Sequence, residues 1–183
     1  MKLRLVIALA ISSALALSLS GAEAGVPTLD GKKVKVLTLT ATPGLQEHDQ
    51  DTAVSVDTKV ECLPPRCARL TFAYKPAKGV KGGLMFTMTW GNPGSDFDLY
   101  VGEVGKRGTT TVIGRCGGFG GPSEKVYLAP SSLRSGKTYV MVMDFARSLN
   151  DTVKGKVEIN VPTTIGTKVP DKVDSLQAIN CTL

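Results

Sequence analysis

The sequence predicts an all-β fold: an antiparallel β-sandwich or jelly roll with a disulfide-tethered C-terminal tail. Three observations point there. Period-two alternation of apolar and polar residues recurs along most of the chain, turn residues punctuate it at short spacing, and no long amphipathic helical pattern appears. Short strands separated by turn chemistry are the signature of sandwiches and jelly rolls.

Taken in order, Lys33–Thr40 and Val54–Val56 are weaker strand candidates. Leu70, Phe72 and Tyr74 alternate with Arg69, Thr71 and Ala73. Leu84, Phe86, Met88 and Trp90 share one face, opposite Met85, Thr87 and Thr89. Phe97, Leu99 and Val101 alternate with Asp96, Asp98 and Tyr100. Thr109–Ile113 and Val126–Leu128 are further weak candidates. Thr138–Phe145 places Tyr139, Met141, Met143 and Phe145 on one side and Val140 and Val142 on the other, as a strand buried on both faces does. Val157, Ile159 and Val161 alternate with Lys156, Glu158 and Asn160. Pro64-Pro65, Lys78-Gly79, Gly91-Asn92-Pro93-Gly94, the glycine-rich run 117–122 and Ser135-Gly136 supply the turns. The run 117–121 opens no helix, so it is no phosphate cradle and reads as a mobile hairpin. Asp171–Asn180 reads as a short helix in the tail.

Residues 1–24 read as a cleavable secretory signal peptide. Lys2 and Arg4 form a positive n-region, Leu5 to Leu19 an uncharged apolar run, and Ala22-Glu23-Ala24 a small-x-small site before Gly25. A membrane anchor is the competing reading, but the run is short for a ~30 Å hydrocarbon core and no basic stop-transfer flank follows it. No later stretch is apolar for long enough to span a bilayer. The expectation is therefore a protein exported beyond the cytoplasm, with residues 25–183 forming a single domain.

Removing Lys2, Arg4 and Glu23 leaves 20 basic and 15 acidic residues, a net charge of +5. A mildly basic exported protein favours anionic surfaces such as acidic polysaccharide or teichoic-type polymers, although the same charge also serves solubility. Lys32-Lys33-Val34-Lys35 is the densest basic patch and reads as the solvent face of a strand. No basic stripe is interleaved with aromatics, which argues against nucleic acid. The four cysteines, Cys62, Cys67, Cys116 and Cys181, suit two disulfides in an oxidising compartment. Three pairings are open. Cys62–Cys67, closing the Leu-Pro-Pro-Arg turn, with Cys116–Cys181 tying down the tail, is the preferred one. Zinc needs tighter ligand pairs and usually histidine, and His48 is the sole histidine.

The segment Thr89-Trp90-Gly91-Asn92-Pro93-Gly94-Ser95-Asp96-Phe97-Asp98-Leu99-Tyr100-Val101 resembles the central signature of the bacterial pre-peptidase C-terminal (PPC) domain. Downstream, Glu124–Leu128 and the run Ser135-Gly136-Lys137-Thr138-Tyr139-Val140-Met141-Val142 continue the likeness, and the Cys62…Cys67 loop before Leu70-Thr71-Phe72 is similar to versions in secreted actinobacterial proteins. The resemblance covers residues 60–162, with Asp-x-Asp-Leu-Tyr as its specific core. It implies a secreted, non-catalytic jelly-roll module that usually accompanies a peptidase or glycosidase. Within these 183 residues the module stands without such a partner, so the usual accessory role is not expected to carry over.

Asp96 and Asp98 project from one strand face beside a turn. Carboxylates so close repel unless a cation or hydrogen-bond donors neutralise them. Calcium is the natural extracellular cation, and the resemblance implies a site made with an acidic N-terminal segment. Here that segment is Glu47-His48-Asp49-Gln50-Asp51, giving Asp96, Asp98, Glu47, Asp49 and Asp51 as a candidate calcium set. In the competing structural reading, Asp96 and Asp98 cap backbone amides at the turn. Asp144, in an otherwise apolar strand, is expected to pair with Arg147 or Arg134, the alternative being a contribution to the same cation site. Tyr100 is the one aromatic whose strand parity points away from the core, and so the candidate ligand-binding ring, whereas Trp90 belongs to the core. No nucleophile elbow surrounds His48, and two carboxylates on one strand face cannot flank a sugar bond. Asn150-Asp151-Thr152 and Asn180-Cys181-Thr182 fit the N-glycosylation pattern, which the bacterial resemblance reads as chance.

The expectation is a non-catalytic binding or interaction module acting at the cell surface or on extracellular polymer, its partner a polysaccharide or a protein. The alternative is a calcium-stabilised structural or inhibitor-like partner of a secreted hydrolase.

Overall fold

The computed structural model describes residues 26–31, 36–47, 62, 64–117, 121–162, 181 and 182. The expected signal peptide 1–24, the basic patch Lys32-Lys33-Val34-Lys35, the expected strand 54–56, His48, Asp49, Asp51 and the expected tail helix 171–180 lie outside the described residues.

Eleven strands are present among the described residues: β1 Thr28–Leu29, β2 Val36–Ala41, β3 Gln46–Glu47, β4 Cys67–Tyr74, β5 Gly83–Thr89, β6 Asp96–Val104, β7 Thr110–Cys116, β8 Ser123–Leu128, β9 Lys137–Ser148, β10 Val153–Val161 and β11 Cys181–Thr182. They form two sheets. The first runs β1-β4-β9-β6-β7, with β3 also paired to β9, and the second runs β11-β8-β5-β10-β2. All pairings are antiparallel except the short β1–β4 contact, which is parallel. The β-sandwich expected from the alternation is the fold observed. β7 and β8, on either side of the glycine-rich run, belong to different sheets and so do not pair as the expected hairpin; residues 118–120 lie outside the described residues.

One apolar slab joins the sheets. The first sheet contributes Phe72, Tyr74, Phe97, Leu99, Val101, Tyr139, Met141, Met143 and Phe145, and the second contributes Leu84, Phe86, Met88, Val126, Leu128, Val153, Val157 and Ile159. These are the residues that the period-two pattern places on one side of each strand, because successive side chains in a strand point to opposite faces. Trp90 joins them, edge-on to Phe97 at 5.3 Å between ring centroids, and Phe97 in turn meets Phe145 at 5.7 Å. Gly155 lets β10 approach the opposite sheet: a Cβ there would stand 2.8 Å from Met143 Sδ and 2.9 Å from Met141 Cε.

Both preferred disulfides are present. Cys62–Cys67 closes a span of 5 residues on the outer side of the first sheet, and Cys116–Cys181 closes 65 residues and brings β11 against β8. No helix among the described residues is long and apolar enough to cross a membrane.

Cross-links stabilise largely by restricting the unfolded chain, and more so for longer loops. Replacing Cys116 and Cys181 together by alanine is expected to cost about 4 kcal/mol of unfolding free energy, against about 2 kcal/mol for Cys62 and Cys67. Urea unfolding of the two double variants checks the ranking; an equal or larger loss for the short loop contradicts it.

Candidate functional site

The Asp96/Asp98 pair lies at the start of β6, where Phe97 and Leu99 enter the slab and leave both carboxylates on the outer face of the first sheet. Asp98 is fully buried and stands opposite Asp144, which is equally buried, across the β6–β9 pairing. Glu124 reaches the same region from β8 of the other sheet. It is buried, and its carboxylate accepts a hydrogen bond from the Leu99 amide at 2.8 Å, tying the two sheets together. Arg115 on β7 stands opposite Tyr100, its guanidinium carbon 5.0 Å from the ring centroid. Gly117 follows, and any side chain there would overlap the Asp98 carboxyl.

Three buried carboxyls around one guanidinium cannot all ionise at little cost. Burial pushes the Asp144 carboxyl up to about 7, against the opposing pull of the Phe145 amide and of Arg115. Burial raises Glu124 well above the usual carboxylate range, helped by the charge of Asp98 and opposed by the Leu99 amide. Burial, with the neighbouring Asp98, likewise raises the Tyr100 phenol. Arg115 is a cation that acts on Asp144. The expected partners stand elsewhere: Arg147 is registered against Asp96, and the Arg134 amide donates to the Tyr139 hydroxyl near the opposite end of β9.

Of the candidate calcium set, Glu47, Asp96 and Asp98 are described. Glu47 on β3 and Asp96 on β6 lie on either side of β9, each registered against Arg147 between them, and Asp49 and Asp51 lie outside the described residues. Among the described residues no three acidic, histidine or cysteine side chains group in a way that could hold a metal ion. At the turn beside Asp96 and Asp98, Asp151 caps backbone amides: its carboxylate accepts from those of Gly91 at 3.0 Å, Asn92 at 2.6 Å and Thr152 at 2.7 Å. Asn92 caps Gly94 in the same turn at 2.9 Å. The aspartate missed by the sequence reading sits in the Asn-Asp-Thr stretch before β10, a turn composition that favours such bonds.

Tyr100 requires a correction. Its parity is outward, as expected, but it is only 1% exposed. Outward means away from the slab, and on this side the sheet carries a second apolar cluster, in which Tyr100 packs with Cys67, Val140, Val142 and the disulfide partner Cys62. The ring is therefore not presented to a ligand.

The outer face of the second sheet is different. Four strands there present two registered rows of polar side chains. One row reads Ser123 (β8), Thr89 (β5), Lys154 (β10), Thr40 (β2). The next reads Lys125, Thr87, Lys156, Thr38 on the same strands. All eight are exposed or half-buried. Each lysine of β10 is thus flanked on both sides by threonines. At the margin, Lys156 pairs with Glu158 at 2.9 Å. An open cleft of about 490 Å³, lined by Thr89, Trp90, Gly91, Asp151, Thr152 and Lys154, continues the first row.

Asp144 makes stability pH-dependent with a definite sign. Its carboxyl keeps its proton to about pH 7 in the folded chain, whereas in the unfolded chain it ionises near ~3.9. The stabilisation is complete below the lower value and is lost as the pH climbs through the higher one. The melting midpoint should therefore decline between pH 5 and pH 8, and Asp144→Asn, which cannot ionise, should flatten that decline. Identical pH profiles for the two proteins contradict the assignment.

Compared with known protein families and with curated proteins, the chain matches none.

Proposed function

We propose that the chain is a secreted, non-catalytic β-sandwich module of PPC type that binds extracellular polymer at or beyond the cell surface. The polar outer face of the second sheet carries this reading. Two adjacent rows of a β-sheet face that place lysines and hydroxyls in register, exposed or half-buried and bordered by the row Tyr127, Met85, Glu158 and Val36, offer a surface that suits a linear chain better than a small molecule. Two disulfides support an oxidising destination. The PPC likeness is supported by the placement of its core motif: Asp98, Leu99 and Tyr100 occupy β6, paired on both sides by β7 and β9.

Non-catalytic action is supported by what the carboxylates are doing. Asp98, Glu124 and Asp144 are buried and tied to structure, and Asp151 is committed to three amides. None faces the open cleft as a free acid–base pair.

The test is retention of the mature protein on whole cell-wall and polysaccharide material. Binding that is lost on raising the salt is expected, since exposed lysines act through screened charge. Recovery only with a secreted hydrolase, and none with polymer, overturns the reading in favour of an inhibitor-like partner. Chelator is expected to leave the melting midpoint unchanged; a midpoint raised by added calcium contradicts that, because a ligand specific to the folded state must stabilise it.

A further inference from the structure

The lysine and threonine rows select among anionic polymers, an inference that rests on the polymer-binding reading above. Lys154 is registered between Thr89 and Thr40, and Lys156 between Thr87 and Thr38. Each lysine thus has a threonine on either side, on neighbouring strands whose backbones lie about 4.8 Å apart, and the Lys156 ammonium itself is turned to Glu158. Threonine side chains are stiff at χ1, so the hydroxyls are held near one arrangement before any ligand arrives. An ammonium is a compact point charge with rotatable donors, and it suits a tetrahedral anion whose oxygens point in several directions. The bidentate fork of arginine matches carboxylate and phosphate alike, so the choice between those anions falls to the spacing of the lysines. The two rows hold three lysines and no arginine.

Spacing adds a second constraint. Lys154 and Lys156 point the same way two residues apart, about 6.8 Å along the strand. That distance suits neighbouring phosphodiesters joined by a three-carbon polyol. The cleft beside Lys154 and Trp90 leaves room for the neutral part of the repeat or for a sugar carried on it. Its one carboxylate, Asp151, is held by three backbone N–H groups, which offset its repulsion of an anion. Glu158 is the single acid on the next row and draws on Lys156.

We infer that the outer face of the second sheet is a docking surface for a phosphodiester-linked polyol polymer of the teichoic class, held by the Thr–Lys–Thr rows of Lys154 and Lys156.

Binding of purified poly(glycerol phosphate) to the mature protein tests this, measured beside polygalacturonate, dextran sulfate and duplex DNA at equal ionic strength. K154Q/K156Q is expected to weaken binding to poly(glycerol phosphate) about tenfold, the loss of two charge-assisted contacts. E158Q should tighten it by releasing Lys156, and K137Q, on the other sheet, should leave it unchanged. Because these side chains are partly or fully exposed, the melting midpoints should stay close to wild type, which separates lost contacts from lost folding. Equal or tighter binding to polygalacturonate, dextran sulfate or DNA overturns the ligand assignment. Retention of wild type and K154Q/K156Q alike on cell-wall material overturns the surface assignment while leaving the polymer-binding reading standing. No retention of wild type on any polymer overturns both.

Discussion

Everything in this molecule depends on the single apolar slab between two sheets. Burying roughly ten square ångströms of apolar surface yields only ~0.25 kcal/mol, so a sandwich of this size needs nearly every strand to commit one full face. Met141, Met143, Phe72, Phe97 and Leu99 from one side, and Phe86, Met88, Val126 and Val157 from the other, meet that requirement. Because side chains alternate, each strand committed to the slab presents its remaining side chains on the opposite face. The chemistry of the two outer faces is then the only variable left, and the two have been used in opposite ways.

The outer face of the first sheet is closed over. Tyr100, Val140 and Val142 form a second cluster with Cys67 and Cys62, and Asp98 and Asp144 are buried beside them. Buried carboxyls are costly unless protonated or compensated, and here Arg115 and the raised affinity of Asp144 and Glu124 for protons supply the compensation. Glu124 reaches from the opposite sheet to the Leu99 amide, so the same polar group helps fix how the sheets align. Such a region is built to hold the fold together. On the outer face of the second sheet, by contrast, two rows of lysine, threonine and serine stay exposed or half-buried beside a row that holds the buried Met85 and Tyr127, and the proposed partner would meet those two rows.

The sequence made the strands legible because alternation is local. The clean patterns at Leu84–Trp90, Phe97–Val101 and Val157–Val161 all correspond to observed strands, and the two-sided burial of the segment around Met141 follows from the slab on one face of β9 and the second apolar cluster on the other. The two-residue strands β1, β3 and β11 are too short to leave a period. What failed to show were consequences of distant pairing. Parity placed Tyr100 outside the slab, but only the second cluster decides that outside is still buried. Asp96 stood beside the turn in sequence, yet Asp151, brought in by the β9–β10 connection, takes the amides. The lysine and threonine rows join residues near positions 40, 88, 124 and 155, and no reading of one strand at a time assembles them.

The central claim is that this open face is the binding surface. Amide chemical-shift mapping of the mature protein during addition of poly(glycerol phosphate) tests it most directly. The account predicts perturbations concentrated at Thr38, Thr40, Thr87, Thr89, Lys154 and Lys156, with the amides of β4 and β6 unmoved. Perturbations confined to the first sheet, or none under conditions where binding is measured, contradict it.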